Sequence, residues 1–499
     1  MAVVGAGNAA LCAALAAAEA GARVTVLEAA PEAETGGNSA FTAGAMRVAY
    51  DDAADLGRLV DLAAPELRDA DFGSYPVEAF LADLDRVSGG RCHPDLARTV
   101  AERSMPTMEW MRSHGVGFEA NTERQSAVVD GRRRFWGGLA VRVAGEGSAL
   151  VNKLREAAER AGATVHHSRP ATGLRCRNGT VEGVETPAGT LAAGAVVLAC
   201  GGFEADPAWR TAELGPTWRT AKVRGTRFNA GAGLKMALAA GAARAGDWSG
   251  CHAVAWDASA PDVGDLAVRH EFSKNSFQLG ITVNGVGVRF LDEGADFRNY
   301  TYATYGRAVL AQPGSLAWQL FDGRVQHLLH DEYSRPSPDR VVADSLEELI
   351  DGMCRADAMA AVDGRAGVGT QLRRTIDDFN SAVRTDVAFD PTVLDGRGTE
   401  GVSPPKSNWA NPLVQPPFTA HAVTCGITFT FGGLAVDGTA RVLDTAGAAV
   451  PGLFAAGELV GGLFWGNYPG GSGLTAGAVL GHIAGTAAAE AALGRRSDR

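Results

Sequence analysis

The sequence predicts an α/β protein in which a doubly wound, Rossmann-like domain carries an inserted α+β capping domain. A complete strand–turn–helix–strand unit occupies residues 2–28, and a similar glycine-rich, apolar pattern returns after residue 428. The segment between them changes character and is richer in aromatic residues and aspartate. We therefore predict a dinucleotide-binding domain from residues 1–247 and 429–499, and a capping, substrate-facing domain from residues 248–428.

The composition excludes several classes of protein. The net charge of −11 argues against a nucleic-acid partner, and we expect the one basic cluster, Arg132 to Arg134, to lie in a solvated loop. The 7 cysteines are scattered without a CxxC motif, so neither an iron–sulfur nor a zinc site is indicated. We expect no metal site; the adjacent His166 and His167 lie in a strand-like stretch and are not taken as ligands.

Targeting signals are absent from the sequence pattern. The N-terminal apolar run has no basic region or cleavage pattern of a signal peptide, and no apolar stretch reaches the about 18 residues of a membrane span. Unpaired cysteines fit a reducing compartment, so we expect a soluble, cytoplasmic protein. Because the chain starts directly at its first strand, we also expect a few residues upstream of it.

A GxGxxA motif lies in the first turn. Gly5 permits a tight turn, Gly7 lets a pyrophosphate approach the backbone, and Ala10 allows close packing of the predicted helix, Leu11 to Gly21, on the strand. The helix N-terminus offers free N–H groups to phosphates, and Glu28 can accept hydrogen bonds from both ribose hydroxyls. The residues predicted to bind a dinucleotide here are Gly5, Gly7, Asn8, Ala9, Ala10 and Glu28.

Two further motifs favour FAD over NAD. One is a glycine loop after the second strand, and the other is a strand that ends in Gly457-Glu458 and is followed by a helix starting near Ser472. The acid can bind ribitol hydroxyls, and the helix dipole can stabilise negative charge on a reduced flavin. A glycine pair also ends the apolar run 195–199. The additional predicted FAD ligands are Gly36, Gly37, Asn38, Ser39, Gly201, Gly202, Gly457, Glu458, Ser472, Gly473 and Leu474.

These motifs together resemble the succinate dehydrogenase/fumarate reductase flavoprotein superfamily and, within it, the FAD-dependent tricarballylate dehydrogenases. The blocks behind this resemblance are residues 7–15, 248–257, 292–302, 425–433 and 466–471. The resemblance implies a cap that closes over the flavin. Covalent members carry a histidine beside the glycine pair where this chain has Asn38-Ser39, which predicts noncovalent FAD. Ala232 replaces an aspartate that is usual in the superfamily, which removes one expected contact to the cofactor.

Substrate residues are predicted in the cap. By resemblance, Arg298 lies near the arginine that serves fumarate reductases as proton donor. An arginine is a poor base by itself, so it needs a neighbouring carboxylate, for which Glu293 is our candidate. Arg289 is the first alternative to Arg298. A surface ion-pair cluster would explain the same residues without catalysis.

Three other positions bear on the substrate. His252 corresponds to a substrate-carboxylate histidine of the superfamily, although a core histidine fits the same aromatic stretch. Fumarate reductases carry a second histidine where this chain has Phe429, and an arginine where it has Tyr468. Both changes remove a group that binds a substrate carboxylate, which disfavours succinate or fumarate as the substrate. The Tyr468-Pro469-Gly470 sequence resembles ketosteroid Δ1-dehydrogenases, so Tyr468 either donates to a substrate oxygen or packs under the flavin loop.

The predicted function is therefore desaturation of a small polycarboxylate, of the tricarballylate to cis-aconitate type, with hydride transfer to flavin N5. A ketosteroid-like or biosynthetic desaturase acting on a less charged molecule is the alternative. A flavin-binding redox sensor without turnover is a hypothesis from another functional class. No haem motif or second nucleotide motif is present, so electrons must leave to oxygen, a quinone or another protein. The resemblance implies a separate membrane electron-transfer protein.

Acid precipitation tests the noncovalent cofactor. Because no histidine adjoins Gly37, we expect the purified yellow protein to release all its flavin, as FAD, into the supernatant. Absorbance and chromatography of both fractions give the measurement, and yellow colour retained in the pellet would contradict the prediction.

Overall fold

The computed structural model describes residues 1–364 and 366–497, and its fold confirms the predicted α/β class. A six-stranded sheet forms the centre of the dinucleotide-binding part. In spatial order its strands are Arg441–Leu443, Ala449–Ala455, Val196–Leu198, Ala2–Val4, Thr25–Leu27 and Thr164–His166. All pairs are parallel except that of the edge strand Arg441–Leu443. The carboxyl ends of five strands therefore meet at one edge, where ligands bind in such sheets.

Two helices pack tightly on this sheet. The helix Asn8–Glu19 begins three residues before its predicted start, directly after the glycine turn, and Gly21 follows it with φ +83°. The C-terminal helix Ser472–Ser497 lies against it. A β-carbon on Gly481 or Gly485 would collide with the carbonyl oxygens of the first helix, so these glycines set the close approach.

The C-terminal helix corrects one expectation from the sequence. Its segment Ser472–Gly494 is long and apolar enough to cross a membrane by length and composition, and 61% of its apolar window is buried inside the protein. A helix in a protein core has the same composition, because it too must be apolar on nearly every face.

The cap is built on a second, mixed sheet. Its longest strand, Phe418–Thr430, pairs with most of the others. The remaining strands are Lys222–Val223, Cys251–Asp257, Ile281–Asn284, Ala317–Phe321 and Arg340–Ala343. A separate apolar core, which includes Trp318, Leu372 and Phe379, lies between this sheet and helices Leu346–Arg355 and Val368–Ala382.

The sheet does not follow the predicted boundaries closely. Lys222–Val223 joins it from before residue 248, and Phe418–Thr430 continues past residue 428. The domain division remains a prediction. Arg132 to Arg134 lie in the strand Arg132–Phe135, not in a loop, because this strand forms a hairpin with Ser126–Val129.

The remaining elements complete the two parts. Further helices are Ala53–Leu56, Val77–Ser88, Pro94–Ser113, Thr122–Gln125, Glu146–Arg160, Pro207–Glu213, Ala232–Ala239 and Arg298–Leu310. Small sheets are formed by Ala45–Met46, Val141–Val143 and Phe118–Ala120, by Gly189–Ala192, Thr180–Thr186 and Gly173–Arg177, and by Arg244–Ala245 with Gly433–Leu434.

Candidate functional site

The first glycine turn opens onto a cavity at the carboxyl edge of the parallel sheet. Gly5 has φ +105°, and a β-carbon there would lie 2.5 Å from the carbonyl oxygen of Ala199, so the turn requires glycine. The Asn8 N–H donates to the Ser39 hydroxyl over 3.2 Å, which ties the turn to the second glycine loop. The glycine turn and the start of the helix Asn8–Glu19 thus border the cavity, where N-terminal N–H groups of a helix can bind phosphate oxygens.

Glu28 stands at one end of this cavity. Its side chain is buried and accepts the Ala30 N–H over 2.8 Å. Burial raises the pKa of Glu28, while backbone N–H groups, first that of Ala30, oppose the rise. The carboxyl group is therefore held in a defined orientation in which it can also accept hydrogen bonds from ribose hydroxyls.

Another part of the cavity wall is formed by Gly457, Glu458 and the start of the C-terminal helix. The Asn8 side chain donates to the Leu474 carbonyl over 2.8 Å, so the two helix N-termini face the same cavity. Asn38 connects the middle of the cavity to the cap sheet, because its amide donates to the Thr428 carbonyl over 2.6 Å. This hydrogen bond joins the glycine loop at Asn38 to the cap strand Phe418–Thr430.

One continuous cavity joins these groups. Sequence-predicted residues on its wall are Gly5, Gly7, Asn8, Ala9, Glu28, Gly37, Asn38, Ser39, Gly201, His252, Arg298, Gly457, Glu458, Tyr468, Gly473 and Leu474. Ala10, Gly36, Gly202 and Ser472 adjoin the wall without bordering the cavity. A cradle of glycines at one end, an acid near each end and two helix N-termini fit an elongated dinucleotide, with the phosphates at Gly5–Ala9 and the ribitol at Glu458.

His252 lies at the cap side of the cavity. It is 1% exposed, and neither ring nitrogen has a hydrogen-bond partner among the described residues. The rings of Tyr302, Phe429 and Tyr468 surround it at centroid distances of 4.9, 5.2 and 4.8 Å. Burial, and then the charge of Arg224, hold the pKa of His252 well below its usual value. The imidazole is neutral and has donor and acceptor positions free for a ligand.

Tyr468 shares this aromatic cluster. Its hydroxyl hydrogen bonds to that of Tyr302, and burial raises the pKa of Tyr468 well above its usual value. Both phenols border the cavity. The Tyr468 phenol therefore remains protonated at neutral pH and can donate to a ligand oxygen.

Arg298 begins a cap helix and borders the same cavity. Its guanidinium donates to the Arg124 carbonyl over 2.9 Å and makes no ion pair with a carboxylate among the described residues. Burial, reinforced by the charge of Arg124, lowers the pKa of Arg298 to about 10. It is therefore a half-buried cation of the cavity wall, not part of a surface ion-pair cluster.

The expected pairing of Glu293 with Arg298 is wrong. Glu293 binds Arg289 through two hydrogen bonds of 2.6 and 3.2 Å and accepts the Thr282 N–H over 2.6 Å. Neither Glu293 nor Arg289 borders the cavity. The turn at Asp292 folds these two residues onto each other, and their mutual ion pair leaves no free group for a substrate. Arg289 is thereby also removed as an alternative to Arg298.

The carboxylate whose charge acts on Arg298 is that of Glu332, and the sequence analysis did not identify it. Glu332 forms a buried ion pair with Arg124. Although burial opposes ionisation, the Arg124 guanidinium lowers the pKa of Glu332 to about 2. Glu332 is therefore a charged partner of Arg124 and is not available as a free base.

Two arginines on the cavity wall, Arg124 and Arg224, were also missed. Arg224 is held by the Thr428 hydroxyl at 3.3 Å and lies over the Trp256 ring, and its Nε has no partner among the described residues. No spacing in the sequence links residues 124, 224 and 298. In the sequence Arg224 is a single arginine after Val223, and single arginines are common on protein surfaces, so the sequence gives no sign of its position in the site.

Metal chemistry has no candidate centre in the part of the chain that the structure describes, where no cluster of three metal-binding side chains occurs. His166 and His167 stand at the end of an edge strand of the parallel sheet.

The fold and the cavity define a dinucleotide-binding protein: the carboxyl edge of the parallel sheet borders the cavity on one side, and the cap sheet borders it on the other. Residues 1–474 match the FAD binding domain family. The chain is 30% identical over 511 residues to a probable fumarate reductase of Shewanella frigidimarina, covering 98% of this chain and 75% of the relative. It is 28% identical over 368 residues to a 3-oxosteroid 1-dehydrogenase of Mycobacterium tuberculosis, covering 69% and 63% of the two chains.

Solved structures agree. An open conformation of a flavocytochrome c3 fumarate reductase is 26% identical, with a TM-score of 0.71 over 99% of this chain and 78% of that one. A 3-ketosteroid Δ1-dehydrogenase of Sterolibacterium denitrificans has the same fold, with a TM-score of 0.71 over 98% and 99% of the chains at 20% identity. The chain belongs to the FAD-binding flavoproteins of the succinate dehydrogenase/fumarate reductase superfamily. FAD as cofactor and an oxidoreductase acting on CH–CH bonds are thus confirmed.

Replacement of Glu28 tests the adenosine end of the site. Glu28→Ala should weaken FAD binding by about ten- to a hundredfold, because hydrogen bonds to a charged group contribute about 1.5–3 kcal/mol. Fluorescence titration of the apoprotein with FAD measures the effect. Glu32→Ala, which removes a nearby exposed carboxyl paired with Arg155, is the matched control and should bind like the parent. If both variants bind FAD with equal affinity, Glu28 does not bind the ribose of FAD.

Proposed function

We propose that the chain desaturates a small polycarboxylate, of the tricarballylate to cis-aconitate type. The observation that carries this proposal is the charge of the cavity. Arg124, Arg224 and Arg298 all border it beside His252, and Glu332 is the one buried carboxylate in an ion pair with any of them among the described residues. The substrate end of the cavity therefore has an excess of positive charge.

Such an excess favours an anionic ligand for an energetic reason. Arg224 and Arg298 are half-buried, and a charge that a bound ligand shuts off from water without a partner costs several kcal/mol. Two of the three guanidinium groups, those of Arg224 and Arg298, lack a carboxylate partner within the described residues. Substrate carboxylates would supply the missing charges, and planar guanidinium groups suit carboxylates because they can donate two parallel hydrogen bonds. A steroid offers no such groups.

The proposed reaction removes a hydride from one carbon and a proton from its neighbour. FAD, when bound, supplies the hydride acceptor. The arginines hold the carboxylates and orient the C–H bonds, and neutral His252 is free to donate a hydrogen bond to one carboxylate. Arg298 is our candidate proton acceptor in its neutral form: its own proton first passes to water, which burial favours by lowering the pKa of Arg298 to about 10, and the neutral guanidine then takes the substrate proton.

A substrate with a carbonyl group is the second candidate. The paired hydroxyls of Tyr302 and Tyr468 favour it, because together they form a donor position at the cavity wall. A 3-oxosteroid dehydrogenase and a 4-oxocyclohexanecarboxylate 2-dehydrogenase, both named for keto substrates, are among the relatives. We infer for either candidate that electrons pass on to a separate electron acceptor, with a membrane electron-transfer protein as our proposal.

Anaerobic flavin reduction distinguishes these functions and excludes a sensor without turnover. We expect a tricarboxylate such as tricarballylate to bleach the bound flavin, a dicarboxylate such as succinate to do so more weakly, and a 3-ketosteroid not at all. Arg224→Gln should raise the half-saturating tricarboxylate concentration by about ten- to a hundredfold, because one charge-assisted contact is lost. Stopped-flow absorbance of the flavin measures both quantities.

A matched control lies three residues away. Arg227 is an exposed arginine paired with Glu34, and Arg227→Gln should reduce its flavin with the parent's concentration dependence. Bleaching by the ketosteroid in place of any polycarboxylate would contradict the proposed substrate. If Arg224→Gln and Arg227→Gln have the same half-saturating tricarboxylate concentration, Arg224 does not contact the substrate.

Tyr468→Phe separates a donor role from a packing role. If the phenol donates to a substrate oxygen, flavin reduction should slow by about 10²-fold, as for loss of one oxyanion-type donor. The aromatic contacts with His252 and Phe429 survive this change, so FAD content should not alter. Rapid-mixing kinetics give the rate, and a change below about threefold would assign Tyr468 to packing.

A further inference from the structure

Glu204 is a buried acid that the proposed reaction does not use. It follows the glycine pair after the strand Val196–Leu198 and is 0% exposed. Its carboxyl group lies within hydrogen-bonding distance of the carboxyl group of Glu458, which borders the flavin cavity. Two acids thus meet directly behind the part of the site assigned to the ribitol chain.

The other hydrogen bonds of the two acids are nearly complete. Glu204 Oε1 accepts from the Asn38 and Asn229 side-chain amides, each over 2.7 Å. Glu458 Oε1 accepts from the Thr430 N–H over 2.7 Å and its hydroxyl over 3.1 Å. Glu204 Oε2 is the exception, because it is buried and has no donor partner among the described residues.

An ionised carboxylate can only accept hydrogen bonds. Two ionised carboxylates in contact in a buried site repel each other, and one of them therefore takes up a proton. A proton on Glu204 Oε2 resolves both problems, since this oxygen then becomes the donor to Glu458. The amide donors on Oε1 remain satisfied, and Glu458 keeps its negative charge.

We propose that Glu204 and Glu458 share a single proton, held on Glu204, and that this acid pair positions the flavin site. In this arrangement Glu204 is a positioning residue. It orients Asn38, whose side chain also accepts the Thr226 N–H over 2.9 Å, and it leaves Glu458 as a charged acceptor for a cofactor hydroxyl.

The surroundings support a neutral Glu204. Burial and then the charge of Glu458 raise the pKa of Glu204 well above its usual value. Arg210 donates to the Glu204 backbone carbonyl over 2.7 Å, and Asp206 is paired with Lys235 at 3.0 Å. The thiols of three nearby cysteines are neutral, because burial raises their pKa values; these are Cys200, Cys251 and Cys425.

FAD binding should then depend on this proton. Bound FAD covers Glu458, which borders the cavity, and exclusion of water there strengthens its repulsion of an ionised Glu204, so the pKa of Glu204 is higher in the FAD complex than in the FAD-free protein. Affinity is full below the lower of these two pKa values and falls as the pH rises between them, because FAD prefers the protonated pair. For one linked proton the dissociation constant rises by about tenfold per pH unit in that interval.

Glu204→Gln tests the proposal without removing a hydrogen bond. The glutamine carbonyl accepts from Asn38 and Asn229, and its NH₂ group donates to Glu458 at every pH. Titration of the apoprotein with FAD at increasing pH should show the weakening in the parent and a flat or clearly shallower profile in Glu204→Gln. Glu213→Gln removes an acid that pairs with Arg244 near the surface and should behave as the parent.

A pH profile of Glu204→Gln that equals the parent's would overturn the proposal. Infrared spectroscopy of the parent gives a second measurement that does not depend on the variant's folding. We expect the C=O stretch of a buried protonated carboxyl group at neutral pH, and its absence from the parent would likewise overturn the proposal. Both readouts are independent of substrate, so they stand whether or not a polycarboxylate reduces the flavin.

Discussion

The parallel pairing of the central strands is the constraint on which the site depends. Ala2–Val4 lies between Val196–Leu198 and Thr25–Leu27, and each pair runs in the same direction. Every strand of such a sheet delivers the residues that follow it to the same edge. Gly5, Glu28 and Gly201, which are far apart in the chain, therefore border one cavity. The fourth strand adds Gly457 and Glu458 to that edge from near the C-terminus.

The long strand Phe418–Thr430 joins the cap to this edge. In its register Phe429 lies opposite His252, and its last residues, Thr428 to Thr430, reach the cavity. The same residues hold groups from three directions: the Thr428 carbonyl accepts from Asn38, its hydroxyl accepts from Arg224, and Thr430 donates to Glu458. A shift of this strand would move substrate and cofactor groups together, which explains how the cap can align the two.

The buried charges divide into two regions with opposite character. At the cap side, guanidinium groups exceed the carboxylates that pair with them, and a neutral histidine stands between aromatic rings. Behind the ribitol end, two acids meet without a cation on their carboxyl groups among the described residues. Each region is costly by itself. An anionic ligand would neutralise the excess guanidinium charge, and a proton would relieve the repulsion between the two acids. The unfavourable electrostatic free energy thus lies in regions where ligand or proton binding can offset it.

The sequence by itself determined the fold class, the FAD cofactor and the oxidoreductase chemistry. It also placed the wall residues from Gly5 to Glu28 and from Gly457 to Leu474. These depend on local rules, namely glycine conformations, strand and helix periods and the acids that follow strands, which act over a few residues. Only the tertiary structure decided that Glu293 pairs with Arg289, that Arg124 and Arg224 join Arg298, and that Glu204 meets Glu458. These pairings join residues from distant parts of the chain or depend on how a turn folds, and charge–charge contacts have no period or spacing that a single sequence can display.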